Sequence, residues 1–321
     1  MKNFFSVILK YVLLISIPFW VSCGTSSYEP PEKNEPEISK SAPVPPDGVL
    51  ETVTWNLEWF GDGTYGESGN GPADEYRQTL NIVEIMDSLQ ADLYAFQEVY
   101  GPKALQEITK HLTGYKGFVA KEIDWIQKTA FVYNTNTIDS LAAGLITNGQ
   151  DEYAWTYGRF PFYFRFKYNY GNKSREFYAI VIHAKASDDR ESYERRKQAA
   201  RDLYEYLITQ KPNANIIFLG DYNDDVDVSI YNETRSPYQP FVTDTAKFWV
   251  ITKALSEAGE VSTVSYPDMI DHITISDELF NSYIGGSAAV FTSPEEFIPY
   301  YGNTTSDHYP VWAKFEMTES S

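Results

Sequence analysis

Apolar runs in this chain repeatedly end on side chains that can do chemistry. TVTWN reaches Asn56, LYAFQE reaches Glu98, YAIVIH reaches His183, and NIIFLGDYN reaches Asp221 and Asn223. MIDHITI carries Asp271 at the head of another apolar run, and SDHYPV carries Asp307 and His308 just ahead of the strand-like stretch 311–315. Short apolar runs bounded by turn formers read as buried strands. Buried strands that end in carboxylates, amides and histidines limit the chain to a rigid sheet scaffold, with an oxygen-rich metal site presented at strand ends.

The chain is large enough to cover such a scaffold. It has 321 residues, 43% hydrophobic and 22% charged, an ordinary globular balance. That supports one large domain with a substantial core. Aromatic residues reach 16%, including 25 Tyr, which reads as an aromatic-rich β core or as a stacking surface for bases or sugars.

The first residues read as an export signal. Lys2 and Lys10 flank the apolar stretch 11–21, which ends at Ser22-Cys23-Gly24. A basic start, an apolar middle and small residues at the cut define a signal peptide over 1–22, and the middle is too short for a membrane span. Cys23 is the only cysteine, so no intramolecular disulfide can form. A lone cysteine there resembles a bacterial lipoprotein cleavage site, which implies lipidation of Cys23 and attachment to a membrane. Trp20 stands where that pattern prefers Leu, and plain secretion is the alternative reading. The expected location is the bacterial cell envelope, at the outer membrane on its periplasmic or surface side.

Residues 23–47, rich in Pro, Glu and Ser, read as an extended tether. One domain is expected over 48–317, with a short tail at 318–321 and no internal repeat. The net charge is −19, and losing Lys2 and Lys10 with the leader makes it more negative. So acidic a chain has no general attraction for nucleic acid or anionic membranes. A phosphate substrate must be met by a bound cation and a few local Arg or Lys.

Strands are expected at 53–57, 93–96, 129–133, 160–168, 176–182, 216–219, 272–275 and 311–315. Helices are expected at 74–89, with Tyr76, Leu80, Val83, Met86 and Leu89 on the buried face, at 103–112, and at 193–208. The glycine-rich segment 61–71 reads as a loop. This mixture, with adjacent strands at the end, indicates α+β rather than an all-parallel sheet.

Taken together, WNLEW, QEV, RFP, VIHAKASD, GDYND, DHI and SDHYPV resemble the endonuclease/exonuclease/phosphatase superfamily, the deoxyribonuclease-I-like fold. The resemblance covers nearly all of 49–317 in the right order. It implies a four-layer α/β/β/α sandwich with the site at one edge of the sheets, and metal-dependent phosphoester hydrolysis. By the same resemblance Asn56, Glu98 and Asp307 match metal-binding positions, with Glu98 a direct ligand to Mg²⁺, or to Mn²⁺ or Ca²⁺. Asp221 and Asn223 match the pair that orients the attacking water and holds a phosphate oxygen. His308 matches the histidine that acts as base or stabilises the transition state, and Asp271 the acid that orients it. His183 matches the second catalytic histidine, and Arg159 an arginine close to the substrate phosphate, which His183 and Asn223 also approach. One departure is Gln127 or a near neighbour, where deoxyribonuclease I pairs that second histidine with a glutamate. His183 is therefore expected to be less basic than its counterpart.

Other polar residues read as structural. Asp62, Asn70, Asp188 and Asp189 look like turn residues, His111 like a surface residue, and His272 like a packed one. Glu58 lies on the same strand face as Asn56 but farther along. The run SYERRKQAAR reads as a solvated helix face. The expected activity is that of an exported endonuclease on DNA, with RNA a further substrate, acting as a monomer without an obligate protein partner. The alternative is a phosphatase or phosphodiesterase on a small or lipid phosphoester, such as an inositol phosphate or a sphingomyelin-like lipid. A catalytically dead binding module is disfavoured, because no core catalytic position is lost. Exposed tyrosines near the site edge, Tyr65 or Tyr300 and Tyr301, are candidates for stacking on the substrate.

Overall fold

The computed structural model describes residues 47–65, 70–156 and 158–317. The expected signal peptide, Cys23, the tether up to residue 46 and the tail 318–321 lie outside the described residues. Among the described residues no helix is long and apolar enough to cross a membrane.

Strands β1 (Val49–Phe60), β2 (Leu93–Val99), β3 (Tyr115–Val119), β4 (Lys128–Asn134), β11 (Ala289–Val290) and β12 (Val311–Glu316) form the first sheet. Strands β5 (Ile138–Leu145), β6 (Phe162–Tyr170), β7 (Lys173–His183), β8 (Ile216–Asp221), β9 (Phe248–Val250) and β10 (Asp271–Ser276) form the second. The strand orders are β11-β12-β1-β2-β4-β3 and β5-β6-β7-β8-β10-β9. Both centre on a parallel pair, β1–β2 and β7–β8, with antiparallel strands on either side. The chain thus repeats one topology twice without repeating its sequence.

Each parallel pair needs a crossover helix. After the single turn α1 (Asp62–Tyr65), within the segment expected to be a loop, helix α2 (Glu75–Leu89) links β1 to β2; α3 (Pro102–Thr109) follows β2, and α4 (Arg190–Gln210) links β7 to β8. Asp74 caps α2 by accepting from the Arg77 amide at 3.0 Å, and Asp189 caps α4 by accepting from the Ser192 amide at 3.0 Å. The buried face of α2 is Gln78, Thr79, Ile82, Val83, Ile85, Met86 and Leu89, while Tyr76 is exposed. The expected face was rotated because Gln78 is drawn inward: its amide donates to the carbonyls of Leu57 (2.7 Å) and Thr305 (2.9 Å).

The main core lies between the sheets, where Leu50, Leu93 and Phe131 meet Phe164, Phe177, Ile217 and Ile273. A second core packs Ile180 and Phe218 against Leu203 and Leu207 of α4. On the other outer face Tyr94 of β2 donates its hydroxyl to the Met86 carbonyl of α2 at 3.0 Å. The result is the four-layer sandwich that the resemblance implied. Along β6 the alternation reads as expected, with Phe162, Phe164, Phe166 and Tyr168 buried and Arg165 and Lys167 exposed. A large part of the aromatic content is therefore core, with 22 of the 51 aromatic residues buried. Strand β3 was not legible because Gly117 interrupts it, and a Cβ there would stand 2.9 Å from Leu105.

Candidate active site

Parallel strands of one sheet end at the same edge, and here the two edges meet. His183 ends β7 and pairs in register with Asp221, which ends β8 and pairs in turn with Asp271, the first residue of β10. From the first sheet, the Asn56 Nδ2 donates across the gap to Asp221 Oδ2 at 3.1 Å and to Glu98 Oε1 at 3.1 Å. His308, just ahead of β12, closes the group with Nδ1 at 2.8 Å from Asp271 Oδ2. Ser306 fixes this segment: its hydroxyl donates to the Asn56 carbonyl at 2.7 Å and accepts from the His308 amide at 3.0 Å. Ser262, fully buried, donates to Asp271 Oδ2 at 2.7 Å.

Local backbone strain gathers here. Glu58, Trp59, Glu98 and Asn223 have φ of 48, 56, 60 and 51°, the left-handed region that costs non-glycine residues about 1 kcal/mol or more each. At Glu58 and Trp59 the register with β2 slips between Asn56 and Phe60, forming a bulge. A bulge re-aims the side chains on it. It points the Trp59 amide at Glu98 Oε2 (3.0 Å) and the Glu58 amide at Asn56 Oδ1 (3.0 Å). It also turns Glu58 toward Glu98, Asp307 and His308, so Glu58 belongs to the site and does not lie farther along the strand. Burial and the charge of Asp307 push the Glu58 carboxyl up to about 7. No residue pattern marks a bulge of this kind, so the sequence does not reveal it.

The two histidines face opposite electrostatics. Burial works against a charge on His308, but Asp271, Asp221 and Asp307 prevail and hold it well above the ordinary imidazole range. His308 is therefore an imidazolium at neutral pH. His183 is held well below that range by burial, by Arg159 and by His308. The Arg159 Nη1 lies 3.0 Å from His183 Nδ1. Arg159 has no acceptor, so Nδ1 must accept and the proton sits on Nε2. That N–H faces Asp221 Oδ2 (3.5 Å) and Glu98 Oε1 (3.6 Å).

Two expectations need correcting. Arg159 is 4% exposed and is spent on His183, on Gln127 Oε1 (3.3 Å) and on the Ala184 carbonyl (3.1 Å). It stands behind His183 and is not placed to touch a substrate phosphate. Gln127 partners Arg159 rather than His183, so the low basicity of His183 has burial and Arg159 as its causes. Asn223 donates its Nδ2 to the Ala184 carbonyl at 3.3 Å, and its amide donates to Asp221 Oδ1 at 2.8 Å. Burial and the charge of Asp271 raise Asp221 to about 7. Asp307 is half exposed, with Oδ1 3.9 Å from His308 Nε2.

Further residues differ from expectation around this edge. Arg196, in the run read as solvated, is fully buried and pairs with Asp224 at 2.7 Å. It also donates to the carbonyls of Lys185 (2.8 Å) and Ser187 (2.7 Å), tying together the loops that follow His183 and Asp221. Tyr301 is buried with its hydroxyl on the His308 carbonyl, while Tyr300 is 80% exposed. His272 is packed as expected, with Nδ1 3.0 Å from the Thr252 hydroxyl and Nε2 2.8 Å from the Met269 carbonyl.

A divalent cation fits this donor set. Asp221, Asp271 and His308 offer atoms within 4.8 Å of one another. His308 is committed to Asp271 through Nδ1, however, and an imidazolium does not ligate. Glu58 feels the charges of Asp307 and Glu98, and its Oε2 is buried without a hydrogen-bond partner, so these three carboxylates offer further oxygen donors beside that group. Asn56 Oδ1 already accepts from Glu58, so its amide would have to turn over to ligate.

Residues 53–308 match the model of the Endonuclease/Exonuclease/phosphatase family. No curated protein matches the sequence. Among solved structures, the human Nocturnin catalytic domain with bound sulfate is 18% identical, covers 86% of this chain and 97% of its own, and has a TM-score of 0.61. D. rerio TDP2 complexed with a single-strand DNA product is 16% identical over 84% of this chain and 100% of its own, with a TM-score of 0.59. A Bacteroides thetaiotaomicron mannosyl-6-phosphatase is 15% identical over 82% of this chain and 98% of its own, with a TM-score of 0.54. At these identities the likeness is one of fold.

Proposed function

The chain belongs to the endonuclease/exonuclease/phosphatase family, and from that premise we propose that it is a divalent-metal-dependent phosphodiesterase, an exported endonuclease acting on DNA. The observation that carries this is the meeting of Asn56, Glu98, His183, Asp221, Asp271 and His308 within hydrogen-bond reach at one edge of two sheets.

Glu98, Glu58 and Asp307 would hold the cation, Mg²⁺ in the first instance. When bound it offsets negative charge on the phosphate and the leaving oxygen. Asp221, fixed by Asn56 Nδ2 and the Asn223 amide, orients the attacking water and takes its proton. His308, charged and aligned by Asp271, presents Nε2–H to an equatorial phosphate oxygen where charge develops. His183 donates from Nε2 as a neutral group and so stabilises charge without delivering a proton. Asn223 supplies a further donor to the phosphate.

A specific observation favours a second reading. Arg159, Arg195 and Arg196 are buried, and among the described residues Lys185 is a half-buried cation beside His183. With a net charge of −19, this favours a small or lipid phosphoester over a long polyanion. Nicking of supercoiled DNA with Mg²⁺ and with EDTA, run beside inositol phosphates and phospholipids, separates the two. Mg²⁺-dependent nicking is the expected result. Turnover of a small or lipid phosphoester without nicking rejects the nuclease reading. The same protein is proposed to reach the cell envelope through lipidated Cys23.

A further inference from the structure

The hydroxyl of Ser262 has every hydrogen-bond direction taken. The side chain is fully buried. Its Oγ accepts from the amides of Ile270 (3.0 Å) and Asp271 (3.1 Å), and it lies 2.7 Å from Asp271 Oδ2. A hydroxyl has one hydrogen and two lone pairs. The two amides occupy the lone pairs, so the hydrogen must point at Asp271 Oδ2. Ser262 is left with nothing to offer a substrate, and a role as nucleophile is excluded.

Asp271 depends on that bond. Its Oδ2 takes both the Ser262 hydroxyl and His308 Nδ1, at 2.7 and 2.8 Å, while Oδ1 is buried without a hydrogen-bond partner. Among the described residues, the two bonds at Oδ2 are therefore the support of the carboxylate group. Without the Ser262 hydroxyl it would be held only by the imidazole, the very group it orients. The main chain of the same segment holds the other member of the pair. The Ser262 carbonyl accepts from the Tyr309 amide at 2.8 Å, Thr263 bridges to His308, and the Val264 amide donates to the Asp307 carbonyl at 2.8 Å. Ser262 thus fixes the acid with its side chain and the histidine's segment with its backbone.

We propose that Ser262 is a positioning residue for the hydrolysis: it clamps Asp271 Oδ2, so that the His308 imidazole presents Nε2–H to the phosphate in one orientation. The role of His308 rests on the phosphoesterase reading above; the clamp rests on the hydrogen bonds alone. A misaligned donor stabilises developing charge less well. The loss falls on the transition state and not on substrate binding, so it lowers kcat and leaves KM unchanged.

The test is Ser262→Ala, alone and in the His308→Ala background, with one readout that needs no substrate. Ser262→Ala should lower kcat about tenfold at unchanged KM, as a loss of orientation does. It should add nothing to the loss in His308→Ala, because the clamp acts through His308. In proton NMR of the full chain, the His308 Nδ1–H signal, identified by its loss in His308→Ala, should exchange with water faster in Ser262→Ala. Should Ser262→Ala not fold, Ser262→Cys, close in shape and a weaker donor, takes its place. Equal losses in the wild-type and His308→Ala backgrounds would mean general damage to the fold and overturn the proposal. So would an Nδ1–H that exchanges at the wild-type rate in the variant. Faster exchange in a chain whose wild type turns over no phosphoester would reject the reading of the reaction while upholding the clamp.

Discussion

His308 stands three residues ahead of β12, and Arg159 three residues ahead of β6, its counterpart in the other sheet. Each reaches across to the opposite sheet. His308 meets Asp271 at the head of β10 at 2.8 Å, and Arg159 meets Gln127 just ahead of β4 at 3.3 Å. The matched places are therefore filled with unlike chemistry. One pair is an imidazole with a carboxylate and holds a proton firmly. The other is a guanidinium with an amide, which leaves Arg159 free to donate to His183 and keep it neutral. The scaffold is repeated, but only one side carries a carboxylate. From two similar strand ends the site thus obtains one histidine that is charged and one that is not.

The most severe way to break this arrangement is at the charged pair. His308→Ala should lower the hydrolysis rate by ~10³-fold, at the upper end for losing a donor aimed at developing charge. Because Asp271 acts through His308, the double variant His308→Ala/Asp271→Ala should be no worse than His308→Ala alone. A double variant far less active would give Asp271 a separate task. Next comes Glu98→Gln, expected to cost ~10²-fold and to raise the Mg²⁺ concentration needed for half-maximal rate, as loss of charge stabilisation does. Unchanged Mg²⁺ dependence would remove Glu98 from the cation site.

The neutral side should respond less, and differently. Arg159→Met removes the donor to Nδ1, so the His183 imidazole should titrate closer to its ordinary value, as read by NMR. The rate should fall by about tenfold, a loss of orientation rather than of a reacting group. Gln127→Glu would strengthen the partner of Arg159 without touching either histidine, and the rate should stay within about threefold. If Gln127→Glu instead matched the loss from Asp271→Asn, the two sides would be electrostatically alike and the contrast drawn above would fail.

Stability against pH gives the smallest effect. Glu58, Asp221 and Asp225 have folded values near 7, above their ordinary carboxylate range. The folded chain then binds more protons than the unfolded one between about pH 4 and 7, so metal-free stability falls as pH rises through that window. Mg²⁺ should flatten the part of the slope that comes from Glu58 and Asp221. A slope that Mg²⁺ leaves untouched would mean that these two carboxyls do not face a cation.

What the sequence revealed follows from how local each signal is. Asn56, Glu98, His183, Asp221 and Asp271 could be read because each ends or heads an apolar run, and a strand end fixes its side chain in space. The alternation of β6 was equally plain. Glu58 was not, because a bulge changes the facing of a side chain without changing its neighbours in sequence. Arg196 was not, because its burial depends on Asp224, 28 residues away. Arg159 was recognised as part of the site but given the wrong contact, since a motif carries a residue's vicinity and not its layer. The repeated sheet topology left no trace in the residues, as backbone pairing is indifferent to most side chains.

The central claim is that the joined sheet edges hydrolyse phosphoesters with the help of a cation and of Asp221. The most direct measurement is the hydrolysis rate of bis(p-nitrophenyl) phosphate by the wild-type chain and by Asp221→Asn, each with Mg²⁺ and with EDTA. The account predicts turnover by the wild type with Mg²⁺ that EDTA abolishes, and a loss of at least ~10²-fold in Asp221→Asn at every pH. Turnover that survives both EDTA and Asp221→Asn would contradict it.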